Sequence, residues 1–270
     1  MEGPVTLTDR TDIVVLGLAS PDVTFTQSVA PGIHRLTQAH TNTYLVESEQ
    51  GLLLVDAGLP NTYPHLLNAL RQLRRTPAEL RAIVLTHAHF DHVGMARRLQ
   101  EEVGCSVHVH LADAYLALHP YRYRHERPRL GYPLRYPKGA AQLLRMARAG
   151  ALRVRGLDRI PEGLPAGPSE LPGRPNVILT QGHTAGHCAL DFPDRGATIT
   201  GDALVTLDPY TGHEGPRIIA GAATADSPRA LRSLAAIAEL GRRTMLPGHG
   251  AAWTGELSDA VAAARAAGRS

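Results

Sequence analysis

The sequence predicts an α/β sandwich, two sheets packed face to face with helices outside, on three observations. Short β-rich runs alternate with stretches of helical periodicity instead of segregating into blocks. The alternation occurs twice, in two similar halves separated by a stretch of different character. The chain has 270 residues, 43% of them hydrophobic, which is ample for one large core. Residues 1–270 are therefore read as a single domain, with an insertion at about 112–175 forming a cap of helix and loop.

A first strand is expected at Asp12 to Leu16. From Gly32 onward, "IHRL", "TYLVES" and "GLLLVDAG" are short β-rich runs divided by polar or glycine breaks, the pattern of hairpin strands on a buried sheet. Leu66, Leu67, Leu70 and Leu73 then recur at helical spacing behind Pro64, which suits a first helical turn. Thr76-Pro77-Ala78-Glu79 has the spacing of a capping box. The apolar run Ala82 to Leu85 is a strand, and Met95, Leu99 and Val103 predict a helix from about Asp91 to Val103. "SVHVH" is a further strand. In the second half "NVILT" is a strand, "ALDF" and "ATITGDAL" form a hairpin-like pair, and Ser227-Pro228 opens a helix through Leu240. "RTMLPGHG" is a last strand and loop before an alanine-rich terminal helix.

Residues 112–175 differ from both halves. A helix is expected near Ala140 to Ala149, and Pro161, Pro165, Pro168, Pro172 and Pro175 mark an extended loop. Between Tyr121 and Arg159 eleven Arg or Lys side chains face only Glu126 and Asp158, with Tyr121, Tyr123, Tyr132 and Tyr136 interleaved. Such a segment is either a solvated face or a lid that grips an anionic group through its guanidinium forks.

The net charge of +3 is small, and Lys138 is the only lysine, so the basic pI reflects arginine usage and is weak ground for a nucleic-acid partner. No apolar run is long enough to span a bilayer, and no apolar segment follows a basic start, so a cytoplasmic protein without a membrane partner is expected. Cys105 and Cys188 form no C-x-x-C pair, which agrees with a reducing compartment.

The chemistry concentrates in "LTHAHFDHVG", residues 85–94. His87, His89 and His92 crowd around Asp91 directly after a strand. Neutral imidazole and carboxylate are the donors that divalent first-row metals accept. His87 and His89, two apart on a strand exit, can point the same way, whereas the adjacent Asp91 and His92 diverge, which hints at two metals.

"THAHFDH" resembles the signature of the metallo-β-lactamase fold superfamily, and the remaining stations follow in order. They are Asp56 in "LLLVDAG", His183 in "GHTAGH", Asp202 in "TGDAL" and His249 in "LPGHG". The resemblance implies a four-layer αββα sandwich with the site at the sheet edges. It implies one metal on His87, His89 and His183 and a second on Asp91, His92 and His249, with Asp202 bridging. Asp56 would steady the histidine loop without touching metal, and Asp91 would also accept a proton during catalysis. Two divalent ions are implied, zinc first, with manganese or iron open.

A complete seven-ligand set resembles the hydrolases of the superfamily. The expected function is dinuclear metal-dependent hydrolysis of a small ester, thioester or lactone by a metal-bridging hydroxide. The motifs are similar to those of glyoxalase II, although few residues follow His249 to form that enzyme's glutathione-binding helical region. The alternatives are a phosphodiesterase or ribonuclease of the same fold and a binding protein without turnover. The expected partner is a small molecule, anionic if the cap is a lid. Nucleic acid is disfavoured, and whether a homodimer forms is left open. No G-x-S-x-G elbow or Walker A loop offers another chemistry.

Overall fold

The computed structural model describes residues 23–270, and the strand expected at Asp12 to Leu16 lies outside them. The first sheet contains β1 (Val23–Ala30), β2 (Ile33–Gln38), β3 (Thr41–Ser48), β4 (Gly51–Val55), β5 (Leu80–Val84), β6 (Ser106–Val109) and β7 (Glu162–Gly163), in that spatial order. β1 to β4 form an antiparallel meander, and β5, β6 and β7 add in parallel. The second sheet draws on β8 (Gly167–Pro168), β9 (Asn176–Leu179), β10 (Cys188–Phe192), β11 (Ala197–Gly201), β14 (Arg242–Pro247) and β15 (Trp253–Glu256). Its order is β15-β14-β11-β10-β9-β8. A small hairpin joins β12 (Val205–Leu207) to β13 (Glu214–Arg217).

Strand alternation builds the layers. Tyr44, Val46, Leu53, Val55 and Val84 point from the first sheet onto Leu190, Phe192, Ile199 and Leu246 of the second. The opposite residues Leu45, Leu52, Leu54 and Ile83 pack on Leu66 and Leu70 of α1 (Tyr63–Gln72) and on Leu99 of the helix before β6. Beyond the second sheet, Met245 meets Leu234, Ile237, Leu257 and Val261 of the C-terminal helices. The result is an αββα sandwich.

The helix expected over residues 91–103 is two helices, α2 (Phe90–Val93) and α3 (Ala96–Val103). The chain at Ala57 and Gly58 crosses at the break and takes the helix's hydrogen bonds. Gly94 N–H donates to Gly58 O (2.8 Å), Met95 N–H to Ala57 O (2.9 Å), and Ala57 N–H to His92 O (2.7 Å). A Cβ on Gly94 would sit 2.6 Å from Leu59 Cα, with backbone all around it. Gly94→Ala is therefore expected to lower unfolding stability by about 1–3 kcal/mol, read from the denaturant midpoint. A change below about 0.5 kcal/mol, within the range of ordinary surface substitutions, would contradict this packing.

The segment over the site carries α4 (Ala114–Leu118), α5 (Tyr132–Arg135) and α6 (Pro137–Met146), the last running into a π-helical turn at Ala147–Ala151. α6 lies against the 208–212 turn, where Gly139 touches the Tyr210 carbonyl, and Gln142 donates to Ala39 O. The proline-rich stretch expected as loop contains β7 and β8, which extend the sheet edges. Asp226, not Ser227, caps α7 (Ser227–Ser233) by accepting from Arg229 N–H (2.8 Å). Ser227 instead donates its hydroxyl to Glu126 (2.6 Å). α8 (Ala235–Ala238) follows separately, and α9 (Leu257–Ala267) ends the fold. Among the described residues no helix is long and apolar enough to cross a membrane.

Candidate metal centre

Each candidate ligand, and Asp56 with them, lies just beyond the C-terminal end of a strand. Asp56 follows β4, His87 to His92 follow β5, His183 follows β9, Asp202 follows β11, and His249 follows β14. The two sheets bring these exits together. Asn42 on β3 donates to Pro247 O (2.8 Å) and Gly250 O (2.9 Å), and Thr41 bridges to His249.

Among the described residues, three donor groups form within 4.8 Å: His87, His89 and His183; His87, His92 and Asp202; Asp91, His92 and His249. His183 Nε2 is 3.0 Å from His89 Nδ1, and His249 Nε2 is 3.3 Å from Asp91 Oδ2. Asp202 stands between them. Its Oδ2 is 3.5 Å from His183 Nε2 and 3.3 Å from His249 Nε2, and its Oδ1 is 3.5 Å from His92 Nε2. All seven side chains are buried.

The partners of the ring nitrogens fix four tautomers. Thr86 gives its only hydroxyl proton to Asp56, so its oxygen accepts from His87 Nδ1–H (3.1 Å). Thr224 gives its proton to Ile219 O (2.8 Å) and accepts from His183 Nδ1–H (3.2 Å). His92 Nδ1–H donates to Asp56 Oδ2 (2.9 Å), and His249 Nδ1–H to His40 O (3.1 Å). Four Nε2 atoms therefore face one small space. Asp56 also accepts from Thr86 N–H (2.8 Å), and its φ of 59° is one that Asp tolerates better than most side chains.

The sequence did not single out several residues that position this set. His187 Nε2 accepts from Asp202 N–H (3.0 Å) while its Nδ1–H donates to Thr180 Oγ1 (2.8 Å). Asp113 ties two ligand loops together, accepting from Ala88 N–H (3.3 Å), Gly186 N–H (2.7 Å) and the Thr184 hydroxyl (2.6 Å). The Tyr123 ring lies tilted against His89 at 4.0 Å between centroids, and its hydroxyl is 3.0 Å from that of Tyr210. His187 carried a signal as the second histidine of "GHTAGH", and Tyr123 as one of the tyrosines interleaved with the cap arginines.

The donor set fits divalent metal. His87 Nε2, His92 Nε2 and Asp202 Oδ1 are buried without a hydrogen-bond partner among the described residues. Leaving such groups unsatisfied costs about 1–3 kcal/mol each, and a cation satisfies all of them at once. Burial pushes His87, His89, His183 and His187 well below the usual imidazole range, so they are neutral and able to ligate. For His92 and His249 burial acts in the same direction, but Asp202 and its neighbouring carboxylates overcome it. His92 rises well above its ordinary value and His249 rises to about 10. In the metal-free protein these rings hold protons near pH 7, and a metal must displace them. Adding zinc to metal-free protein in weak buffer at pH 7 is therefore expected to release about one to two protons per chain, and metal affinity is expected to rise with pH. Uptake without proton release would contradict these assignments. Burial raises both thiols, Cys105 to about 11 and Cys188 further, so neither is a ready nucleophile.

The model of the metallo-beta-lactamase superfamily matches residues 36–249. The chain is 28% identical over 244 residues to the probable metallo-hydrolase YflN of Bacillus subtilis (strain 168), covering 84% of this chain and 87% of that protein. It is 31% identical over 159 residues to a hydroxyacylglutathione hydrolase of Cereibacter sphaeroides (strain ATCC 17029 / ATH 2.4.9), a match that covers 57% of this chain and 48% of that one. Among solved structures it superposes on the metallo-beta-lactamase family protein TTHA1429 from Thermus thermophilus with a TM-score of 0.61 at 24% identity, covering 86% of this chain and 78% of that one. It superposes on TTHA1623 in a di-iron-bound form with a TM-score of 0.55 at 28% identity, covering 81% and 90%. With the family model spanning every strand exit that carries a candidate ligand, the chain belongs to the metallo-beta-lactamase superfamily, as a metal-dependent hydrolase.

Proposed function

We propose that the protein hydrolyses a small ester, thioester or lactone with two divalent ions. The observation that carries this reading is the position of Asp202, with one oxygen 3.5 Å from His92 Nε2 and the other 3.5 Å from His183 Nε2. A carboxylate that reaches two separate donor groups is suited to two ions. In this reading His87, His89 and His183 hold one, Asp91, His92 and His249 hold the other, and Asp202 touches both. Such a pair supplies Lewis acidity and a water whose pKa falls from 15.7 to about 7.

The chain's own groups supply the rest. Asp91, whose Oδ2 lies 3.3 Å from His249 Nε2 at the cluster, would also take a proton and return it to the leaving group. Asp56, Thr86 and Thr224 hold the imidazoles with Nε2 inward. Tyr123 packs its ring against His89 and would hold it in place. The hydroxyacylglutathione hydrolase relative supports attack on an acyl group, and the di-iron neighbour supports two ions, with iron standing beside zinc and manganese.

The test is a hydrolysis screen on protein whose metal content has been measured. Turnover of carboxylic esters, thioesters or lactones is expected, with only a shallow dependence on salt. Preferred cleavage of phosphodiesters, with RNA binding that falls by about 10³–10⁵ between 50 and 200 mM salt, would replace this reading with that of a nuclease.

A further inference from the structure

A cavity of about 420 Å³ opens beside the candidate metal centre, with His183 and Thr184 in its wall. That is the size of a small-molecule pocket. Tyr115, Leu116 and Tyr123 give it an apolar side, and Arg122, Arg124 and Arg229 also line it. We propose that this cavity is the subsite for an anionic end group on the substrate, a carboxylate or a phosphate, gripped by Arg122, Arg124 and Arg229. The proposal rests on the hydrolase reading above and names the substrate class within it.

The hydrogen-bonding inventory of the wall decides the sign of the ligand. Two acids line the cavity, Asp113 with both oxygens bonded and Asp226 with its Oδ1 bonded. Asp113 accepts from Ala88, Thr184 and Gly186, and Asp226 accepts from the Arg229 N–H at the start of α7. Arg122 donates one bond to the Tyr115 hydroxyl (3.0 Å), and Arg229 donates one to Gln181 Oε1. Among the described residues Arg124 makes no hydrogen bond, and none of the three arginines pairs with a carboxylate. A guanidinium carries five N–H donors, so most of the donors remain available, and three cations stand against two carboxylates in the wall. An anion is the complement.

The origin of the arginines separates this from a solvated basic face. Arg122 and Arg124 come from the cap, whereas Arg229 comes from α7 on the sandwich. Cations from two segments about a hundred residues apart converge on one cleft, although unpaired like charges repel across it. The other cap arginines do not line this cavity. The implied substrate has its scissile carbonyl at the His183 end, a short apolar spacer along Leu116 and Tyr123, and its charge at the arginines. An acyl compound of a small diacid, or one bearing a phosphate, has that form.

The test uses zinc-loaded full-length protein and two matched esters, mono-4-nitrophenyl adipate and its methyl-capped neutral diester. A preference of about ten-fold or more in kcat/KM for the acid is expected, as for one good charge-assisted contact. In Arg124→Glu/Arg229→Glu the acid-to-neutral ratio is expected to fall by about ten-fold or more. A second arm needs no turnover. Phenyl phosphate and benzoate are titrated against the parent and the variant by calorimetry, with benzamide as the neutral control, and the tighter anion identifies the group. Weaker anion binding in the variant with neither ester cleaved supports the subsite and counts against ester hydrolysis. Equal treatment of charged and neutral probes in both arms, or identical anion binding by parent and variant, overturns the proposal.

Discussion

Asp202→Ala is expected to reduce turnover by about 10³-fold or more, because several kcal/mol of charge stabilisation depend on the ions it helps hold. Its two oxygens face imidazoles of both donor groups, and the backbone N–H that aims it is held by His187. His249 and His92 keep its carboxyl well below the usual range, although burial pushes the other way, so at neutral pH it is an anion awaiting cations. With alanine there, His92 and His249 lose much of what raises their pKa, and the two donor groups lose their common member. Elemental analysis is expected to find two ions in the parent and at most one in the variant. Two retained ions, or turnover within ten-fold of the parent, would remove Asp202 from the centre of the mechanism.

Asp56→Ala is expected to weaken metal retention by about 10–100-fold, the usual consequence of deleting a partner behind a metal-binding histidine. Asp56 touches no candidate donor atom directed at the ions. It accepts from Thr86 N–H, the Thr86 hydroxyl and His92 Nδ1–H, all in a dry interior. Without it the Thr86 hydroxyl is released to donate toward His87 Nδ1, which favours the tautomer with its proton on Nε2. Competition with a chelator measures the loss. Asp56→Asn is the control, since Asn tolerates the same backbone conformation and separates loss of charge from loss of shape. Unaltered metal affinity in the alanine variant would show that the tautomers are fixed by something else.

The candidate ligands are legible in the sequence because each sits in a short motif at a strand exit, where side-chain chemistry and local geometry are set together. The string from His87 to His92 carries four of them in one loop. Thr180, Thr224 and Asp113 are not legible, because a threonine in a loop acquires meaning only from the histidine folded against it. The break at Gly94 escapes notice for a similar reason. Met95, Leu99 and Val103 keep helical periodicity through it, and the interruption comes from a backbone crossing at Gly58, far off in sequence. β7 and β8 are two-residue edge strands in a proline-rich stretch, too short for any alternation to register. The cap's cations can be counted from the sequence, but only the fold distinguishes those lining a cleft from those on the outer surface.

The spread of the ligands along the chain also sets a timetable. His87 to His92 leave the ribosome well before Asp202 and His249, which follow β11 and β14. At usual elongation rates the interval between His92 and His249 is on the order of ten seconds. Throughout it a histidine-rich loop meets the surrounding ions with half its cage still unmade. Donors on an incomplete, mobile framework hold an ion less tightly than the same donors preorganised. Any ion captured early therefore remains exchangeable until β14 pairs with β11 and the Thr41–His249 bridge closes. Tight retention of an ion would thus be a property of the closed site and not of the histidine loop alone.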